Sequence, residues 1–411
     1  MNKKKVIASL ILLLAVMAYF VLFYKDKKLR FIPESADTVV LIDVKNLTRQ
    51  YIFGLITNPS QWGSKTKGKN AVSLRESGII IPDFLQVFHL KGTGASEWYS
   101  AIELKDPQRF IAFLKQQKFT DKGKNLFQKD HVFLSIVGDK CIVGTSDSGF
   151  KVINKEIFQG SPKNILNADQ FIQSTTGSIS FLSGQKIQNF SIELKDDEIE
   201  IKNNSNLQFL NTIASKLQKG NQFLELELDK ENIRNFTRFF NKNIEDSLQS
   251  TSLMVTSNLE QVNDTIISYE YDDNFNEVEK KSFQKITQPN YTIDIKSDDP
   301  NKIWEYFQSK KWINEENQFT AIPFLPNEIR RNSKGIIIKS TRKPVSLSPQ
   351  LKENYILIRN STLLYSSLKT LSNTEKKIIS DIDYVLYGNK SKDYWVKIKA
   401  KNGELPLILR W

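Results

Sequence analysis

The chain has 411 residues, 40% hydrophobic and 25% charged, a composition that suits ordinary globular domains and excludes a disordered polymer. A single cysteine, Cys141, excludes an internal disulfide framework, and two histidines, His89 and His131, are too few for most metal or nucleophilic constellations. Half of the formal charge of +12 lies in residues 1–30, with seven Lys and Arg against one Asp; the rest holds 51 against 45, a mild excess for so long a stretch, so no nucleic-acid partner is expected.

In chain order, the first element is the run Val6–Tyr24, nineteen residues without a charge. At about 1.5 Å per helical residue that length matches a hydrocarbon core of roughly 30 Å, which predicts a transmembrane anchor. Cleavage as a signal peptide after Val16-Met17-Ala18 would leave the apolar stretch from Tyr19 to Tyr24 in water, so a retained anchor is the expectation. Lys3, Lys4 and Lys5 before the run nearly balance Lys25, Lys27, Lys28 and Arg30 after it. The short basic tail favours a cytoplasmic N-terminus, with residues 1–30 as tail and anchor and the remainder translocated. The expected partners are the membrane, through residues 6–24, and an envelope protein.

Beyond the anchor a strand followed by an amphipathic helix recurs four times, at Thr38 to Val44, Trp98 to Leu104, Phe223 to Leu228 and Tyr291 to Ile295. In the second and fourth, Asp106-Pro107 and Asp299-Pro300 place an N-cap acceptor before a proline at the first helical position. Two hairpins are predicted, His131 to Thr145 turning at Gly138-Asp139 and Tyr355 to Ser367 turning at Asn360-Ser361. First and third units are separated by 185 residues and second and fourth by about 192. The fold class expected is therefore α+β: a transmembrane helix, then antiparallel sheets with repeated strand-helix units in two duplicated halves, 31–205 and 206–411.

Between these elements Ser178–Leu182, Phe190–Leu194 and Glu198–Lys202 read as a meander turning at Asp196-Asp197. Ser252–Ser257, Thr265–Tyr271 and Val278–Phe283 read as further strands, with a turn at Asp272-Asp273-Asn274, and Gly63 to Asn70 reads as a flexible loop.

Phe31 to Asn46, FIPESADTVVLIDVKN, followed by the Asp-Pro units and paired hairpins, resembles an uncharacterised family of membrane-anchored bacterial envelope proteins classed as a domain of unknown function. The resemblance implies an envelope location and no activity.

No residues emerge as catalytic, cofactor-binding or metal-binding. His89 and His131 read as structural histidines in apolar strands, Cys141 as a small buried apolar residue, and Gly92-Thr93-Gly94 as a turn without the Lys-Ser/Thr of a phosphate loop. Asp272 to Glu277 has oxygen ligands near the spacing of a calcium loop but lacks its glycine and flanking helices, so a hairpin turn is expected. Asp43, Glu103, Asp229 and Asp294 lie near strand ends, where a carboxylate pair for hydrolysis could form. Basic clusters at Lys65, Lys67 and Lys69 and at Arg330, Arg331, Lys334, Lys339, Arg342 and Lys343 could meet anionic headgroups. The leading expectation is a membrane-tethered binding or structural module outside the cytoplasm, with a carboxylate hydrolase second and a basic-loop binder of anionic lipid or nucleic acid third.

Overall fold

The structure is a computed structural model. It describes all residues except 1–11, 14–15, 18, 62–75, 161–165, 185, 205–207, 218–219, 241–249, 273–274, 323–326, 344, 368–370 and 411. The expected loop from Gly63 to Asn70, with Lys65, Lys67 and Lys69, lies outside the described residues. The chain divides into two compact units, Met1–Asn203 with Gly403–Trp411, and Asn204–Asn402.

The first unit contains β1 (Lys28–Leu29), β2 (Ala36–Asp43), α1 (Val44–Thr57), β3 (Phe84–Leu90), β4 (Trp98–Glu103) and α2 (Pro107–Gln116). It continues through β5 (Thr120–Asp121), β6 (Leu126–Lys129), β7 (Val132–Val137), β8 (Lys140–Gly144) and α3 (Phe150–Ile153). Its last strands are β9 (Leu166–Asn167), β10 (Gly177–Ser183), β11 (Lys186–Leu194) and β12 (Glu198–Lys202). The antiparallel pairings give the order β12-β11-β10-β2-β3-β4-β8-β7-β6-β5. Strand alternation sends Val39, Leu41, Phe88 and Tyr99 to one face, where they join Phe150, Ile153 and Phe171 in a core. A second core sets Phe110 and Leu114 of α2 against Phe127, Leu134, Ile136 and Cys141.

The second unit contains α4 (Gln208–Leu217), β13 (Leu224–Asp229), α5 (Lys230–Phe240), β14 (Ser250–Tyr271), β15 (Glu277–Ser297) and α6 (Pro300–Ser309). It ends with β16 (Asn327–Asn332), β17 (Gly335–Ser340), β18 (Asn354–Arg359), α7 (Thr362–Ser367), α8 (Asn373–Asp381), β19 (Ile382–Lys390) and β20 (Asp393–Ala400). Its order is β20-β19-β18-β13-β14-β15-β17-β16, again antiparallel throughout. Strand for strand this repeats β12-β11-β10-β2-β3-β4-β8-β7, and a helix follows the equivalent strands β2 and β13, and β4 and β15, in both units.

Several expectations need correction. Strand outweighs helix, so the molecule is mostly antiparallel sheet rather than a balanced α+β fold. Of Val6–Tyr24, residues 6–11, 14–15 and 18 lie outside the described residues, and 12–13, 16–17 and 19–22 are helical. Among the described residues no helix is long and apolar enough to cross a membrane. The transmembrane helix, the single-pass anchor and the location deduced from it are therefore withdrawn. Hydropathy measures only the length of an apolar run, whereas a span needs one helix over that length, which the described residues do not provide. The helical residues end at Leu22, and α1 takes carbonyls there and just beyond: Arg49 Nη1 donates to Leu22 O at 2.6 Å and Lys45 Nζ to Tyr24 O.

The hairpin at Gly138-Asp139 forms as β7 and β8, and the meander as β10, β11 and β12. The hairpin at Asn360-Ser361 does not form. Leu364 N donates to Ser361 Oγ at 3.1 Å, so α7 starts there and β18 pairs with β19 beyond two helices. The equivalent of β7–β8 is β16–β17, not the segment Tyr355 to Ser367.

Candidate functional site

The first unit holds the broadest concavity among those described, about 970 Å³. It is lined by apolar side chains, Ile32, Leu166, Phe171, Leu182 and Ile187, and by polar ones, Glu34, Asp37, Lys91 and Ser183. Leu182 and Ile187 face one another across the β10–β11 ladder, so two adjacent strands present one apolar wall. Opposite them the segment Ile32–Ser35 is fixed by hydrogen bonds: Ser35 N and Oγ both donate to Glu156 Oε2, at 3.1 and 3.0 Å, and Lys91 N donates to Ser35 O at 2.9 Å. The volume is at the upper end of the roughly 300–1,000 Å³ typical of small-molecule sites.

The polar end of this cavity is built by a backbone irregularity. β2 and β3 pair Ala36 with Leu90 and Thr38 with His89, leaving Asp37 as the extra residue of a β-bulge. Bulges re-aim side chains, and here the Asp37 carboxylate swings onto the imidazole: His89 Nδ1 lies 2.8 Å from Asp37 Oδ1. The turn Gly92-Thr93-Gly94 supplies the other side. Gly92 takes φ +87°, and the turn brings the Gly94 carbonyl 3.0 Å from His89 Nε2.

Both ring nitrogens therefore point at acceptors, an arrangement that the doubly protonated imidazolium satisfies best. Burial lowers the His89 pKa, but the bonds to Asp37 and the Gly94 carbonyl, with the Asp37 and Glu97 charges, outweigh it and leave the pKa raised. A general base needs a nitrogen with a free lone pair, and this geometry leaves none. Beside it the Ser148 hydroxyl donates to Glu97 Oε2 at 2.7 Å, which holds the Glu97 carboxyl below its usual range. Tyr99 OH donates to the same oxygen at 3.1 Å. His89 was readable only as a structural histidine; its acidic partner depends on a bulge that no local pattern announces. His131 is not in a strand: it is an exposed residue of the β6–β7 turn.

The other sequence candidates are engaged elsewhere. Cys141 is fully buried and its thiol is pushed up to about 12 by desolvation. Asp43 caps α1, accepting from Asn46 N at 2.8 Å while pairing with Lys25. Glu103 lies 4.0 Å from Arg30. In the second unit Asp229 caps α5 and Asp294 sits within β15 opposite Met254. Among the described residues no group of three or more His, Cys, Asp or Glu could hold a metal ion. Asp272 instead closes the β14–β15 turn, its carboxylate accepting from Asn276 N at 2.8 Å, while Asp273 and Asn274 lie outside the described residues.

The basic cluster of the second unit is broken up by partners. Arg330 pairs with Glu328, Arg342 with Glu260 at 2.8 Å, and the Arg331 guanidinium stands 5.1 Å from the Trp304 ring. No protein-family model matches the chain, and no curated protein or solved structure matches it either.

Proposed function

We propose that the protein is a binding module whose first unit takes an amphipathic small molecule, with an apolar body between Ile32, Phe171, Leu182 and Ile187 and a hydrogen-bonding end towards Asp37 and Lys91. The observation that carries this reading is the cavity itself: a trough of about 970 Å³ whose lining is amphipathic, with Ile32, Phe171, Leu182 and Ile187 beside Glu34, Asp37 and Lys91. Two further features support it. The rim is pre-organised by the Ser35–Glu156 and Asp37–His89 contacts, which lowers the ordering cost of binding. The groups that could do chemistry nearby are held in structural hydrogen bonds.

The test is a fluorescence titration of the full chain with Nile red, a neutral apolar probe. Saturable one-to-one binding is expected, with affinity reduced roughly tenfold or more by Ile187→Arg, since Ile187 is a half-buried residue of the cavity wall, and circular dichroism of the variant checks that the fold is kept. Binding that is absent, or that Ile187→Arg leaves unchanged, overturns the proposal.

A further inference from the structure

β14 and β15 are far longer than the strands they correspond to in the first unit. β3 and β4 stop at a short connection, whereas β14 and β15 stay paired from Ser250–Ser297 out to Tyr271–Glu277. At their base they are flanked by β13 and β17, which leave off at Ser257 and Thr292. From Asn263 to Tyr271 the pair runs on alone for about 27 Å at roughly 3.3 Å per residue. The first unit completes the same sheet order without such an arm, so the arm is not needed to close the fold.

A lone two-stranded ribbon is marginal in water unless something covers it. This one has a distinctly apolar face. Cross-strand register puts Tyr271 opposite Glu277, Tyr269 opposite Glu279, Ile267 opposite Lys281 and Thr265 opposite Phe283, all on one side. Ile267, Tyr269, Tyr271 and Phe283 are 51%, 61%, 71% and 74% exposed. At the base this same face carries Leu253 and Ile295 into the helix-covered core, and beyond the polar pairs Gln261–Thr287 and Asn263–Lys285 its apolar residues resume in solvent.

The charges on that face identify what covers it. Along β15 they change sign, with Glu277 and Glu279 towards the turn and Lys281 and Lys285 towards the base. Two such faces stacked antiparallel about a two-fold axis set the acidic half of each over the basic half of the other, with the tyrosines between. Stacked parallel, they oppose like charges. The existing Lys281–Glu279 contact, 2.9 Å, is an exposed pair worth little and free to exchange.

We infer that the arm is a self-association surface: two copies of this chain pair face to face and antiparallel through Tyr269, Tyr271, Ile267 and Phe283, with register set by the Glu277/Glu279 and Lys281/Lys285 pairs. One ribbon face is smaller than the roughly 800 Å² per partner of a standard interface, so a micromolar, salt-sensitive dimer is expected.

Sedimentation velocity of the full chain across the micromolar range tests this. Glu277→Lys with Glu279→Lys makes the face wholly basic, and Lys281→Glu with Lys285→Glu makes it wholly acidic. Each double variant alone is expected to weaken self-association by more than roughly tenfold, and an equimolar mixture of the two is expected to recover it as a heterodimer. All four positions are exposed, so neither variant threatens the fold. A wild-type monomer at every concentration, self-association indifferent to both variants, or a mixture no more associated than its parts overturns the inference.

Discussion

Asp43 and Asp229 hold the same place in the two units: each is the last residue of its strand and accepts a hydrogen bond from the backbone N–H of an asparagine three residues on, Asn46 at 2.8 Å and Asn232 at 2.9 Å. Their second oxygens differ. Asp43 takes Lys25, while Asp229 Oδ2 takes the Asn354 amide at 2.7 Å, and Asn232 Nδ2 bonds on to Asn389 at 3.0 Å. Burial alone raises the Asp229 pKa, but the Asn232 backbone and the two side-chain amides outweigh it and leave the pKa lowered.

A carboxyl whose folded pKa is depressed stabilises the fold above its unfolded value of 3.8, and that contribution is lost as pH falls through the folded pKa. Urea unfolding of the wild type and of Asp229→Asn, followed from neutral pH into acid, should therefore converge at the acid end. Asn retains the cap but has no charge to lose. If the gap between them is the same at every pH, the carboxylate has no such role.

The caps of the two Asp-Pro helices give a more direct test. Asp106 accepts from Arg109 N at 3.0 Å and Asp299 from Lys302 N at 3.2 Å. Replacing either by Ala should cost about 0.5–2 kcal/mol, and Asn should recover most of that because its amide oxygen also caps. Denaturant midpoints at constant m-value decide it; Asn behaving like Ala would point to the charge rather than the cap.

These helix starts were readable because cap, proline and apolar stripe agree within a few residues. The same locality explains β7–β8, where Gly138 takes φ +62° in the turn. What could not be read were features set by partners distant in sequence. β14 and β15 read as pieces, Ser252–Ser257 with Thr265–Tyr271 and Val278–Phe283 with Tyr291–Ile295, because the joining stretches Asn258–Asp264 and Gln284–Asn290 are largely polar and lack the alternation of a half-buried strand. Leu363–Ser367 looked like a returning strand because its apolar run is too short to separate helix from strand, and the Ser361 cap was the signal overlooked. The cavity has no sequence signature at all. Ile32, Leu166 and Ile187 meet only because β10 crosses to pair with β2, and the Asp37–His89 contact depends on a single unpaired residue in the β2–β3 ladder.

Cys141 should be chemically silent in the folded protein. It is fully buried, and the thiolate that would react is disfavoured because the thiol pKa is pushed up to about 12. Iodoacetamide at mildly alkaline pH should leave the native chain unmodified by mass spectrometry and label it once, stoichiometrically, in denaturant. Labelling of the native protein at a rate independent of its unfolding would show that the second core of the first unit is open.

His89 carries the clearest pH dependence at the cavity. Its pKa in the folded protein is raised above 6.5, so the sign is that of a group gaining an acidic partner: the stabilisation is fully present below 6.5 and is lost as pH rises through the folded pKa. Asp37, Glu97, the Gly94 carbonyl and Thr93 Oγ1, 3.3 Å from Nε2, surround the ring, and Trp98 packs 5.6 Å from it. Above that pKa one nitrogen loses its proton and can no longer donate, so either Asp37 or the Gly94 carbonyl faces a lone pair. The unfolding free energy should therefore decline as pH rises above 6.5 through the folded pKa, and His89→Gln should flatten the decline, since an amide does not titrate there. Proton NMR of the imidazole, assigned by comparison with the His89→Gln spectrum, gives the direct reading. A midpoint below 6.5 would mean that desolvation prevails over Asp37, and the bulge would then be holding a neutral ring.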